Sequence, residues 1–145
     1  MPKRIFALIV LAACLLTGCG SDIDSPPLIY LVANGELVDG FQSSYCWDSS
    51  TDGTLCMDTV EPYFQSSTRL NVNSPIQFQL DTPLPNEVTF LIRKEVSGET
   101  ILSERMPVSE TITWSPTVVP GTYVLAMHAR WKQGEVTYWF SVLLE

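Results

Sequence analysis

From residue 28 onward, apolar and polar side chains alternate with a period of two, in short runs separated by turn-forming residues. Ile76, Phe78 and Leu80 alternate with Gln77 and Gln79, while Val88, Phe90 and Ile92 alternate with Thr89, Leu91 and Arg93. Successive strand side chains point to opposite faces, so this period predicts strands with one face buried. Residues 28–33 and 36–38 flank Asn34-Gly35, the pair that supplies the two positive-φ positions of a tight hairpin turn. Ser97-Gly98 predicts a turn into a strand over residues 100–104, and Ile112 and Trp114 share one face of another. Pro62, Pro75, Pro83, Pro85, Pro107, Pro116 and Pro120 interrupt any long helix, leaving room for a helical turn or two only within residues 59–70.

The last two runs form the clearest unit. Tyr123, Leu125, Met127, Ala129 and Trp131 share a face, as do Val136, Tyr138, Phe140, Val142 and Leu144. A two-residue turn at Gln133-Gly134 would pair Trp131 with Val136, Ala129 with Tyr138 and Met127 with Phe140. It would set His128 opposite Trp139 on the other face, beside Arg130 and Thr137. A slip of one residue would send the apolar set to solvent. About seven short strands of this kind predict a β-sandwich. Pro120-Gly121-Thr122-Tyr123 resembles the approach to the penultimate strand of immunoglobulin-like and fibronectin-like domains, where a tyrosine ties the loop back to the sheet. The resemblance covers about the last seventy residues and implies an all-β, antiparallel sandwich over residues 28–145.

Lys3 and Arg4 precede an apolar run, residues 5–16, that is too short to span a bilayer and has the form of a secretory signal. Where it ends, Leu16-Thr17-Gly18-Cys19 resembles the lipobox of bacterial lipoproteins at all four positions. That resemblance implies a signal peptide over residues 1–18, cleavage before Cys19, and a diacylglyceryl group on its sulfur, with palmitate-type acyl chains. An ordinary signal leaving Cys19 as a bare thiol is the alternative. Two acyl chains hold a protein on a bilayer where one binds only reversibly. By the same resemblance Gly20 and Ser21 carry no retention signal for the inner membrane. The expected location is the outer membrane of a two-membrane bacterium, or the outer leaflet of a one-membrane cell. Residues 19–27, ending in Pro26-Pro27, read as a flexible tether.

About 127 residues remain after cleavage, enough for one domain. Lys3 and Arg4 leave with the signal, so six of the eight Lys and Arg face sixteen Asp and Glu, a balance near −10. Such acidity argues against nucleic acid and against electrostatic adhesion to anionic lipid. Cys14 departs with the signal and Cys19 carries the lipid, which leaves Cys46 and Cys56 as the only pair. In an oxidising compartment they are expected to form a disulfide, stabilising the domain by about 3 kcal/mol through loop entropy. A metal site or redox dithiol competes, but the spacing is far from Cys-x-x-Cys and His128 is the only histidine.

Ser44-Tyr45-Cys46-Trp47 followed by Cys56-Met57-Asp58 resembles a motif of small bacterial lipoproteins. The resemblance implies the lipoprotein class and the disulfide, and supplies no reaction. Packing alone would also place Tyr45 and Trp47 over the sulfurs. Between the cysteines, Asp48, Ser50, Asp52, Gly53 and Leu55 follow the first positions of a calcium loop, but Thr59 stands where a bidentate glutamate is needed. Asp58 and Glu61 could add oxygens, though nothing forces them to converge.

Catalysis finds little support: His128 lies mid-strand, no Gly-x-Ser-x-Gly elbow occurs, and nothing selects a carboxylate pair among Asp48, Asp52 and Asp58. No cofactor is implied. The sequence therefore predicts a non-catalytic, lipid-anchored binding module for an envelope protein, peptide or glycan. Two surfaces are candidates: Trp139, His128 and Arg130 on the outer face of the last hairpin, and Trp47 with acidic side chains on the cystine loop. An envelope assembly subunit contacting partners through sheet edges, or a calcium-binding module, are the alternatives.

Overall fold

A computed structural model describes residues 23–59 and 64–145. The expected signal peptide, Cys19, the first residues of the expected tether and Glu61 lie outside the described residues. The strands are β1 (Ile29–Ala33), β2 (Glu36–Asp39), β3 (Phe41–Gln42), β4 (Tyr45–Ser49), β5 (Gly53–Met57), β6 (Thr68–Leu70), β7 (Ile76–Leu80), β8 (Glu87–Lys94), β9 (Thr100–Met106), β10 (Thr111–Trp114), β11 (Gly121–Arg130) and β12 (Glu135–Leu144). No helix occurs among the described residues. The helical turn expected within residues 59–70 is replaced, where that stretch is described, by bends and by β6.

Two sheets face each other. One has the order β10-β7-β1-β2, the other β3-β12-β11-β8-β9, with β6 also pairing β12. The β1-β7-β10 and β8-β11-β12 groupings are those of an immunoglobulin-like sandwich, and β9 extends the second sheet. Twelve strands stand where about seven were expected. The expected hairpin of β1 and β2 forms around Asn34-Gly35, and the strands that the pattern did not anticipate, β3 to β6, all lie between β2 and β7, where short runs of two to five residues carry little periodic signal. Every pairing is antiparallel except β6 with β12.

Alternation builds the core. Ile76, Phe78 and Leu80 point inward while Gln77 and Gln79 point out, and Val88, Phe90 and Ile92 face them from the other sheet. Phe78 sits 5.6 Å from both Phe90 and Phe140, and Phe90 sits 5.0 Å from Trp114, so aromatic rings bridge the sheets in tilted contacts. Tyr123 Oη donates to the Val119 carbonyl at 2.7 Å, the tie that the resemblance at residues 120–123 implies.

The final hairpin has the expected faces and a different register. Ala129 pairs with Val136, Met127 with Tyr138, and Leu125 with Phe140, two residues away from the expected alignment. The loop is wider than two residues: Arg130 and Glu135 form the last pair, and Trp131 N donates to Gly134 O across the turn. A shift of two preserves every face, so alternation alone could not separate the registers. Trp131 instead packs at the sandwich end and donates its indole N–H to Pro83 O at 2.8 Å.

Candidate functional site

The cystine hairpin is built from β4 and β5, with Cys46 directly opposite Cys56 and their Cα atoms 4.0 Å apart. The disulfide is present as expected. Alternation then separates the sulfurs from the aromatics: Tyr45 and Trp47 point into the body, whereas Cys46 and Cys56 are exposed. The rings therefore do not cover the bridge. Trp47 has no exposed surface, stands edge-on to Trp131 at 5.5 Å, and donates its indole N–H to Ile23 O at 2.9 Å. Burying a side chain of this size contributes about 2–3 kcal/mol, so Trp47 is a structural anchor and not a group presented to a partner.

That anchor also shortens the tether. Pro26 and Pro27 are buried, Pro27 O accepts from Tyr138 Oη, and Asp24 Oδ1 accepts from Ser49 Oγ and Thr51 Oγ1. Residues 23–27 are thus packed against the domain instead of forming a free linker. The oxygen-bearing side chains of the acidic loop are spread along the hairpin. Asp48 lies on a strand and accepts from Thr54 Oγ1 at 2.7 Å; Ser50 and Asp52 occupy the hairpin turn, and Asp58 follows β5 beyond the bridge. Among the described residues no three His, Cys, Asp or Glu side chains cluster as a metal site. An open groove of about 620 Å³ runs beside the contact of this hairpin with the β11–β12 turn, with Asp48, Asp58, Arg130, Lys132 and Glu135 on its walls.

The other candidate surface is the outer face of the larger sheet. Pairing brings Phe41, Trp139, Ala126 and Leu91 into one row across β3, β12, β11 and β8. Trp139 and Leu91 are half-buried, and Phe41 is 38% exposed. Ala126 is fully buried although it points away from the core. Arg93 explains how. Its guanidinium lies 5.4 Å from the Trp139 ring centroid, and since β11 runs between their strands, that contact must pass over the outer side of β11.

His128 stands opposite Thr137, not Trp139, with Nδ1 2.9 Å from Thr137 Oγ1. Its Nε2 lies 3.8 Å from Glu135 Oε2, and Arg130 Nε donates to the same oxygen at 3.0 Å. His128, Arg130 and Trp139 therefore do share a face, joined by groups that sequence reasoning missed: Phe41, Arg69, Arg93 and Arg105. Arg93 and Arg105 share the parity of Leu91 and were legible once the strands were paired. Phe41 and Arg69 sit on strands of two and three residues, which no periodicity reveals.

Among the described residues, burial raises the pKa of two phenols. Burial raises Tyr138 far above the usual range, only partly offset by the hydrogen bond from Gln42 Nε2. Tyr30 is raised by burial and then by Asp81, whose carboxylate accepts its hydroxyl. Neither group faces the outer surface of the larger sheet. Comparison with known proteins finds no matching family model and no matching curated sequence.

Proposed function

We propose that this chain is a lipid-anchored, extracytoplasmic binding domain without catalytic chemistry, which presents the outer face of its larger sheet to a partner in the bacterial envelope. The observation that carries the reading is the row Phe41, Trp139, Ala126 and Leu91, flanked by His128 and by arginines, on a sheet face that no other described strand covers. Large aromatics beside arginine are the residue types that dominate recognition surfaces. Anchorage through Cys19 rests on the lipobox resemblance. The test is co-sedimentation of the full mature chain with purified envelope fractions, comparing wild type with Trp139→Ala. Retention of the wild type and loss with the variant supports the reading; equal retention of both overturns it. Release of a Cys19→Ser chain from membranes checks the anchor separately.

An assembly subunit is the second reading. It is favoured by β5, which pairs only with β4 and leaves Leu55 and Met57 roughly half exposed beside an open edge.

A further inference from the structure

We infer that the β4–β5 hairpin is a second membrane contact, with Leu55 and Met57 of β5 entering the headgroup boundary of the bilayer that holds the anchor. This rests on the proposed acylation of Cys19 and adds how the anchored domain meets the lipid. Cross-strand partners share a face, so pairing divides the hairpin into two sides. Tyr45, Trp47, Leu55 and Met57 make up one side, and Cys46, Asp48, Thr54 and Cys56 the other. Tyr45 and Trp47 are buried against the body, whereas their partners Met57 and Leu55 are 44% and 49% exposed. The apolar side therefore continues past the part that the body covers. β5 contains no charged residue and, among the described strands, pairs only with β4.

Chain length decides what meets that side. Ile23 O accepts from Trp47 Nε1, and Asp24 Oδ1 accepts from the Ser49 and Thr51 hydroxyls, so residues 23 and 24 are pinned to the hairpin. Trp47 and Ser49 share the parity of the apolar side, which is where the chain toward Cys19 leaves. Ile23 follows Cys19 by four residues, and four residues span at most about 14 Å when fully extended. An acylated Cys19 thus holds the hairpin at the membrane surface. On so short a leash the contact is intramolecular, with an effective concentration in the mM range, so a weak apolar contact is populated. The unpaired edge of β5 keeps its backbone at headgroup level, and only the side chains go deeper. Asp48 lies on the other side of the hairpin and Asp52 in its turn, so the contact is apolar and favours zwitterionic over anionic lipid. An assembly partner could cover the same side chains, but the bilayer is the surface that the anchor itself brings to them. The opposite end of the sandwich, where Lys94 pairs with Tyr123 and Val96 is 99% exposed, then points away from the membrane.

The test uses the full mature chain purified from membranes, its intact mass reporting the acyl group on Cys19. The protein is placed in phosphatidylcholine vesicles containing a phosphatidylcholine with a photoreactive diazirine on its acyl chain, and lipid adducts are mapped by mass spectrometry after irradiation. Adducts are expected to concentrate in residues 53–57 and to be insensitive to salt. Phosphatidylglycerol mixed into the vesicles should lower their yield. Leu55→Gln combined with Met57→Gln should reduce the yield by about fivefold or more, while Val96→Gln at the far end leaves it unchanged. Circular dichroism checks that each variant is folded, and all three substituted side chains are exposed. Absence of adducts in residues 53–57, as when a second copy covers β5, overturns the inference, and so does a yield indifferent to the double variant. If Cys19 is acylated and residues 53–57 stay unlabelled, the anchor stands and the inference alone falls. If Cys19 carries no acyl group, both fall.

Discussion

Gly134 and Trp47 form an isolated antiparallel bridge, and a Cβ at position 134 would stand 2.3 Å from the carbonyl oxygen of Cys46. This contact is where the cystine hairpin meets the turn of the last hairpin, reinforced by Asp48 N donating to Gln133 O at 2.9 Å. The missing side chain at 134 is what lets the two backbones approach. Gly134→Ala forces backbone to move and should destabilise the domain by about 2 kcal/mol. Gly35→Ala meets no atom within 4 Å and pays only for its positive φ of 81°, so it should cost about 1 kcal/mol. Urea denaturation of the two variants checks the order; a harmless Gly134→Ala would mean that the hairpin does not dock as described.

The disulfide is exposed and the hairpin is held independently by Trp47, so reductant should reach the sulfurs without unfolding the protein. Closing a loop of sequence separation 10 restricts the unfolded chain by about 3 kcal/mol. The Cys46→Ser, Cys56→Ser double variant should therefore lose about that much stability yet keep the tryptophan near-ultraviolet signature of Trp47 against Trp131. Loss of that signature in native buffer would show that the bridge, not the indole, anchors the hairpin.

These two results bear on what could be read from the chain alone. Faces were legible on β7, β8, β11 and β12, because burial of one side imposes a period of two there. Register was not: parity survives a shift of two residues, and only the tertiary contacts of Trp131 and Gly134 decide how wide the turn is. The parity of Tyr45 and Trp47 against Cys46 was equally plain, but which side met the body depended on Ile23 and Gly134, distant in sequence. The proposed binding face was half legible for the same reason. His128, Arg130 and Trp139 lie on long strands, whereas Phe41 and Arg69 reach the face on strands placed by pairing with β12.

Tyr123→Phe removes the single hydrogen bond that ties β11 to the preceding loop at Val119 O. The ring stays in the core, so the cost should be that of one buried hydrogen bond, about 1–2 kcal/mol, with no change in the fold. Faster amide exchange confined to residues 117–122 would accompany it. Global unfolding of the variant would show that the tyrosine does more than hold this corner.

Tyr138 couples the sandwich to the packed segment before β1 and to pH. Its hydroxyl is buried, donates to Pro27 O and accepts from Gln42 Nε2 at 3.3 Å. Burial disfavours the phenolate and raises the folded-state pKa far above the value of about 10 that the unfolded chain shows. The folded state thus holds this proton more tightly than the unfolded state. Its contribution is complete below pH of about 10, and stability falls as pH rises beyond that, by up to about 1.4 kcal/mol per pH unit for one proton. Tyr30 shifts in the same direction and adds to the slope. Tyr138→Phe should lose about 1–2 kcal/mol at neutral pH, since Pro27 O is left without its donor. It should also show a shallower decline above pH 10 than the wild type. Urea titrations of both proteins between pH 8 and about 11.5 measure the two slopes, and parallel declines would place the titrating phenol elsewhere.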